Sequence, residues 1–268
     1  VYGFVGGRAG ERVRCEMERC CRSVHLVDIH GETRTTVNVI DRRRGLESEI
    51  LETGPQVMPQ QAEDLLSQLK TDLSGEDIVV CSGISIAGAP RDIYVRIGAM
   101  CRDAGAKCIL DANGESLQNA SSGQYYLCKP NQNELAELCG VPATTDPAVL
   151  CRLARQVLPG RFEWIMVSMG ALGGLLVSRT DACLAKVPNV PVISTIGSGD
   201  SCVAGFCVGL DRGLSPRDAF ALGMACGVAN SMSGEVAHVS PDEVGRLLGR
   251  IILSDPKQYS MEQKGGPL

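Results

Sequence analysis

Aromatic residues make up only 4% of this 268-residue chain, and histidine occurs three times. The three, His25, His30 and His238, stand at no helix-face spacing from one another, so nothing marks a histidine metal centre. No apolar run approaches the roughly 18 residues that a membrane-spanning helix needs, and no charged start leads into an apolar signal core. The thirteen cysteines include no C-x-x-C pair, which removes the usual zinc and thiol-exchange spacings. Scattered through apolar runs such as Val79-Val80-Cys81, they read as small buried hydrophobes in a reducing cytoplasm. A net charge of −5 gives no general attraction to nucleic acid or to anionic membrane, and Arg42-Arg43-Arg44, followed by Gly45, reads as a solvated turn. Two nucleotide motifs are also missing. There is no G-x-x-x-x-G-K-[ST], which excludes a P-loop, and Gly197-Ser198-Gly199 has Cys202 where a dinucleotide fingerprint needs its third glycine.

What remains is most informative at Thr195-Ile196-Gly197-Ser198-Gly199-Asp200-Ser201-Cys202-Val203-Ala204-Gly205-Phe206, a glycine-rich turn opening onto a small-residue helix. Backbone N–H groups at a helix start lack intrahelical partners and sit at the positive end of the dipole, so they cradle an anion. An acid inside that cradle needs a reason to be there. Asp200 is a candidate general base, taking a proton from an attacking hydroxyl; the alternative is an ordinary N-cap.

Elsewhere, short β-branched runs alternate with amphipathic helices, the pattern of a parallel sheet covered on both faces in one α/β domain over residues 1–268. Strands are expected at Tyr2–Val5, Ile78–Cys81, Lys107–Asp111, Tyr125–Lys129, Trp164–Ser168 and Gly174–Ser178. After Asp200 only helices are expected: Ser201–Leu210, Pro216–Met232 and Pro241–Leu253. Between residues 24 and 54 the rhythm breaks. His25–Ile29, Thr33–Asp41 and Glu47–Leu51 read as an inserted antiparallel flap.

Ligands of open parallel sheets sit at the carboxyl ends of strands. The residues there are Ser82-Gly83, Asp111-Ala112-Asn113-Gly114, Lys129-Pro130-Asn131-Gln132-Asn133-Glu134 and Ser168-Met169-Gly170. Lys129 suits nucleotide phosphates, and Ser168 with Gly170 allows close backbone approach to phosphate. Asn131 and Glu134, one helical turn apart, suit a hydrated magnesium; they also form a capping-box signature, and both readings can hold.

These segments, above all Lys129-Pro130-Asn131-Gln132-Asn133-Glu134-Leu135, Val167-Ser168-Met169-Gly170 and the Gly197-Ser198-Gly199-Asp200 helix start, resemble those of the ribokinase-like (pfkB) sugar kinases. The resemblance covers essentially the whole chain and is strongest to bacterial 1-phosphofructokinases and tagatose-6-phosphate kinases. It implies a three-layer α/β/α sandwich around a mostly parallel sheet, with residues 24–54 as a β lid and 125–268 as an ATP-binding half. It implies phosphorylation of a ketohexose phosphate by ATP, fructose 1-phosphate first, with tagatose 6-phosphate or a binding-only paralogue as alternatives.

By the same resemblance Asp200 is the base, and Gly197, Ser198 and Gly199 form the anion hole. Lys129, Ser168 and Gly170 meet ATP, with Gly227 and Asn230 on helices that wall the adenine pocket. Asn131 and Glu134 hold Mg²⁺ through water. Arg34 grips the sugar's existing phosphate and Gly83 lines the sugar site. A guanidinium suits that task because its planar fork binds phosphate oxygens in pairs. Family members pair through their flaps, which implies a homodimer through the lid.

Two departures stand out. The family's N-P-A-x-D strand and G-G-K-G stretch have no counterpart here, so an N-terminal portion is expected to be missing, with an exposed sheet edge that favours poor solubility or dimerisation. Ile84 also stands where the family has a serine contacting the sugar phosphate. A competing serine-hydrolase reading rests on Gly83-Ile84-Ser85-Ile86-Ala87, which nearly matches a nucleophile elbow but lacks its last glycine and the helix that must start at the serine.

Overall fold

The computed structural model describes residues 1–41, 43–44, 46–83 and 87–256. Arg42 and Gly45 of the basic turn, and residues 84–86 with Ile84 and the elbow serine Ser85, lie outside the described residues.

Seven strands form the main sheet: β5 (Ile78–Ser82), β6 (Lys107–Asp111), β7 (Tyr125–Cys128), β8 (Phe162–Ser168), β9 (Gly174–Val177), β10 (Ala182–Lys186) and β11 (Ile252–Ser254), in spatial order β11-β10-β9-β8-β7-β6-β5. From β5 to β8 neighbours run parallel, and from β8 to β11 they run antiparallel. Side chains alternate between two faces. Cys108, Leu110, Ile165, Val167, Leu175 and Val177 join one apolar core, whereas Ile109, Met166 and Leu176 join another. That period-two division of continuously apolar strands is what a sheet buried on both sides requires.

The first face is covered by α3 (Ile93–Ala104), α5 (Gln132–Leu138) and α6 (Pro147–Val157), with α4 (Gly114–Ala120) adding Leu117 and Ala120. The second is covered by α7 (Ser198–Asp211) and α8 (Pro216–Ser231), through Val203, Phe206, Ala219 and Phe220. These layers make the α/β/α sandwich. Helices α7 and α8 meet backbone to backbone: a Cβ on Gly223 would fall 2.6 Å from the Cys202 carbonyl oxygen. This close crossing ties the start of α7 to α8. The start of α8 is itself fixed by Ser215, whose side chain accepts from the Asp218 N–H ahead of Pro216 in the first turn.

Two expectations are corrected. The strand at His25–Asp28 (β2) is not part of the flap; it pairs in parallel with β1 (Tyr2–Val5) across the helix α1 (Gly7–Cys20). Only β3 (Thr36–Asp41) and β4 (Leu46–Leu51) form the antiparallel hairpin. The C-terminal helix α9 (Pro241–Leu248) stops at Gly249, and Ile252–Ser254 pairs with β10 instead of continuing it. Gly249, a poor helix former, ends the helix, and the β-branched Ile251 and Ile252 that follow suit a strand.

Strand β1 pairs only with β2, and β5 only with β6, among the described residues. Between β1 and β5 lies a cavity of about 870 Å³, lined by Tyr2, Phe4, Leu65, Val80 and Ile97 and ending at Ser82; Leu65 is supplied by α2 (Pro59–Asp72). No described helix is long and apolar enough to cross a membrane.

Candidate active site

Gly197 adopts a left-handed conformation, φ 77°, and caps α7; a Cβ there would also fall 2.9 Å from the Ala237 nitrogen. The local sequence needs glycine for both reasons. The Ser201 N–H donates to the Gly197 carbonyl at 2.8 Å, which closes the first helical turn. Asp200 therefore lies inside that turn, is exposed, and is not the N-cap.

The anion cradle differs in one member from the expected set. The Ser198 N–H donates to the Thr195 carbonyl at 3.1 Å, because the left-handed glycine folds the chain into a tight turn. Gly197, Gly199 and Asp200 keep N–H groups without a backbone acceptor among the described residues. They present three donors at the positive end of a 14-residue helix.

Asn230 and Gly227 stand behind this loop. Asn230, 1% exposed, donates through Nδ2 to the Ile196 carbonyl at 2.7 Å and to Ser198 Oγ at 3.0 Å. A Cβ on Gly227 would approach the Ser198 carbonyl oxygen to 3.0 Å. Asn230 therefore holds the loop in place and Gly227 leaves room for it, which their expected position in the wall of an adenine pocket did not convey.

Strand ends supply the other groups. Ser82 at the end of β5 donates to Asp200 Oδ1 at 3.5 Å, and its own carbonyl accepts from the Tyr94 hydroxyl at 2.9 Å. Gly83, at φ 95°, donates its N–H to the Asp111 carbonyl at 3.1 Å and has open space around its α-carbon. Lys129 follows β7, and its side chain, 8% exposed, pairs with Asp111 at 3.0 Å. Its Nζ would lie 3.3 Å from a Cβ on Gly199, so the ammonium abuts the anion cradle. Burial works against the lysine charge, yet the adjacent Asp111 carboxylate more than offsets it and raises the Lys129 pKa. For Asp111 burial dominates, pushing its carboxyl up against the pull of Lys129.

Asn131 and Glu134 form the capping box. Asn131 Oδ1 accepts from the Asn133 and Glu134 N–H groups at 2.8 and 2.9 Å, and Glu134 Oε2 accepts from the Asn131 N–H at 2.8 Å. Burial raises the Glu134 pKa, opposed chiefly by that backbone donor. The second carboxylate oxygen of Glu134 has no hydrogen bond among the described residues. A single free oxygen suits magnesium that keeps its waters and relies on substrate phosphates; no cluster of three acidic, histidine or cysteine ligands occurs among the described residues. Ser168 pairs with Asn131 through an isolated parallel bridge, and Gly170, at φ 58°, is open around its α-carbon.

Arg34 is not among these contacts. It is exposed, just before β3, and with Arg12 and Thr33 it lines a separate cavity of about 490 Å³ beside α1. Two contributions went unassigned in the sequence, the Asp111 pairing and the Ser82 bond to Asp200. Their signal is register: Ser82 and Asp111 are direct partners at the carboxyl ends of β5 and β6.

Comparison with known proteins agrees with this fold. The profile of the pfkB family carbohydrate kinases matches residues 1–242. The chain is 32% identical over 236 residues to the 1-phosphofructokinase of Bacillus subtilis, covering 88% of this chain and 76% of that one. It is 30% identical over 251 residues to a tagatose-6-phosphate kinase of Staphylococcus epidermidis, covering 93% and 80%. The tetrameric inhibited form of phosphofructokinase-2 from Escherichia coli superposes with a TM-score of 0.82 at 25% identity, covering 92% of this chain and 80% of that one.

Proposed function

Since this chain belongs to the pfkB family of carbohydrate kinases and is a sugar-phosphate kinase, we propose that it moves the γ-phosphoryl group of ATP to a ketohexose phosphate, fructose 1-phosphate first, with tagatose 6-phosphate as the second reading. The observation that carries the site assignment is Asp200 inside a turn whose Gly197, Gly199 and Asp200 amides have no backbone acceptor among the described residues, with the Lys129 ammonium against Gly199.

Phosphoryl transfer asks a protein mainly for positioning and charge neutralisation. Asp200 takes the proton of the acceptor hydroxyl as that oxygen attacks in line, and Ser82 orients the carboxylate through its hydroxyl. These three amides and Lys129 meet charge building on the equatorial oxygens. Asn131 and Glu134 would hold magnesium through water, and bound Mg²⁺ supplies charge neutralisation at the phosphates. Ser168 and Gly170 let the nucleotide phosphates approach the backbone.

The test is an ADP-release assay offering fructose 1-phosphate, tagatose 6-phosphate and fructose 6-phosphate. The first should give the highest kcat/KM; a higher value with tagatose 6-phosphate favours the second reading. Arg34, whose cavity beside α1 is separate from the strand-end groups, is assigned to the phosphate already on the sugar on the likeness to the family alone. Arg34→Ala should raise KM for that substrate by roughly tenfold or more, the scale of a lost charge-assisted pair. An unchanged KM removes the assignment.

We assign the hairpin β3–β4 to a homodimer contact. Val37, Val39 and Ile50 share one face by register and are 50%, 49% and 59% exposed, an apolar face that a second copy would cover. Sedimentation should give a dimer, and a monomer at micromolar concentration would contradict this. The thirteen cysteines, none of them in a C-x-x-C spacing, support a cytoplasmic setting.

A further inference from the structure

Burying a lysine ammonium is costly unless a counter-charge lies beside it. Lys129 meets this cost through a single ion pair among the described residues, with Asp111. The two arrive from different elements. Asp111 is the last residue of β6, and Lys129 follows β7, its N–H held by the Leu110 carbonyl at 2.9 Å. Parallel pairing of Leu110 with Cys128 brings the two residues to the carboxyl ends of neighbouring strands. The pair is oriented: its carboxylate sits among the strand ends, and its ammonium faces Gly199. A lysine has a flexible four-carbon stem and no preferred fork geometry, so something must fix where its charge stands.

We propose that Asp111 is a positioning residue of the phosphoryl-transfer site, holding the Lys129 ammonium against the Gly199 turn so that its charge is in place before the transferring group develops its own. This rests on the kinase reading above. The physical reason is preorganisation: a donor already aimed at developing charge costs no rearrangement during reaction, whereas a free lysine must be ordered in each turnover. Asp111 acts through Lys129 and needs no contact with either substrate. Its removal therefore affects the chemical step more than binding.

The experiment is a double-mutant cycle on the whole chain, reading kcat, KM for the sugar phosphate and melting temperature for the native chain, Asp111→Asn, Lys129→Met and the double variant. Asp111→Asn should lower kcat by about tenfold or more, within the range of a catalytic group displaced by about an ångström, with KM changed less than about twofold. In the Lys129→Met background the same change should cost no further activity, because Asp111 then has nothing to position. An unchanged kcat in Asp111→Asn, or a double variant whose loss is the product of the two single losses, overturns the proposal. If Asp111→Asn does not fold, Asp111→Glu, which keeps the charge but moves it outward by one methylene, is put through the same cycle with the same criteria. If the native chain turns over no sugar phosphate, the kinase reading fails by itself. The positioning role is then read from calorimetric binding of a non-hydrolysable ATP analogue, which Asp111→Asn should weaken by about threefold or more; equal binding overturns it.

Discussion

Replacing Asp200 by asparagine lowers kcat by two or more orders of magnitude while ATP and sugar phosphate still bind nearly as before. The magnitude follows from the general-base scale of about 10²–10⁴. Asparagine keeps the size of the side chain and can still accept from Ser82, so the first turn of α7 and the 3.5 Å contact have no reason to rearrange. What is lost is a group able to take up the proton of the attacking hydroxyl. The change removes an interaction that matters in the transition state only, so kcat and kcat/KM fall together. Steady-state kinetics with calorimetric ATP binding checks this. Near-normal turnover would take Asp200 out of the base role, leaving it an exposed acid at a helix start.

Lys129→Met carries the second large effect, in two separable measurements. Turnover falls by about 10²–10³, the scale for one preorganised donor removed from a developing oxyanion. Stability falls as well, because Asp111, 16% exposed at its side chain, is left without its cation. Breaking a buried pair costs about 3–5 kcal/mol, and the partial exposure of Asp111 argues for the lower end. The pH dependence has a definite sign. Burial already raises the Asp111 pKa against the opposing lysine; without that lysine the folded-state pKa rises further above its unfolded value. The folded variant then binds a proton more readily than the unfolded chain, so its stability falls as pH rises. The deficit of Lys129→Met in melting temperature should be larger at pH 8 than at pH 5. Equal deficits at both would mean that Asp111 is not the group left behind.

The parts of the site that were legible in the sequence are those whose chemistry is local. Gly197-Ser198-Gly199-Asp200 announces a turn, a helix start and an acid within four residues, and Asn131 to Glu134 announces its own capping box. Ser198 shows where local reading stops. The same left-handed glycine that builds the cradle turns the Ser198 N–H onto Thr195, a consequence of backbone direction that residue types do not encode. Asp111 and Lys129 are 18 positions apart and meet because β6 and β7 pair in a particular register. Asn230 reaches back from α8 to Ile196, 34 positions away, across the glycine contacts of α7 and α8. The misplacement of β2 has a similar origin. A four-residue, half-exposed strand carries little information about its partner, and its neighbour β1 lies on the far side of a 14-residue helix. In the main sheet, by contrast, strands apolar on both faces and followed by amphipathic helices leave few other arrangements.

The central claim, γ-phosphoryl transfer to a sugar phosphate at the start of α7, is tested most directly by following the unmodified chain with Mg-ATP and fructose 1-phosphate by ³¹P NMR. The expected result is loss of the ATP γ signal, growth of ADP, and a second phosphate ester on the sugar, with no matching release of inorganic phosphate. ATP left intact with every ketohexose phosphate, or ADP appearing only with inorganic phosphate, would contradict it.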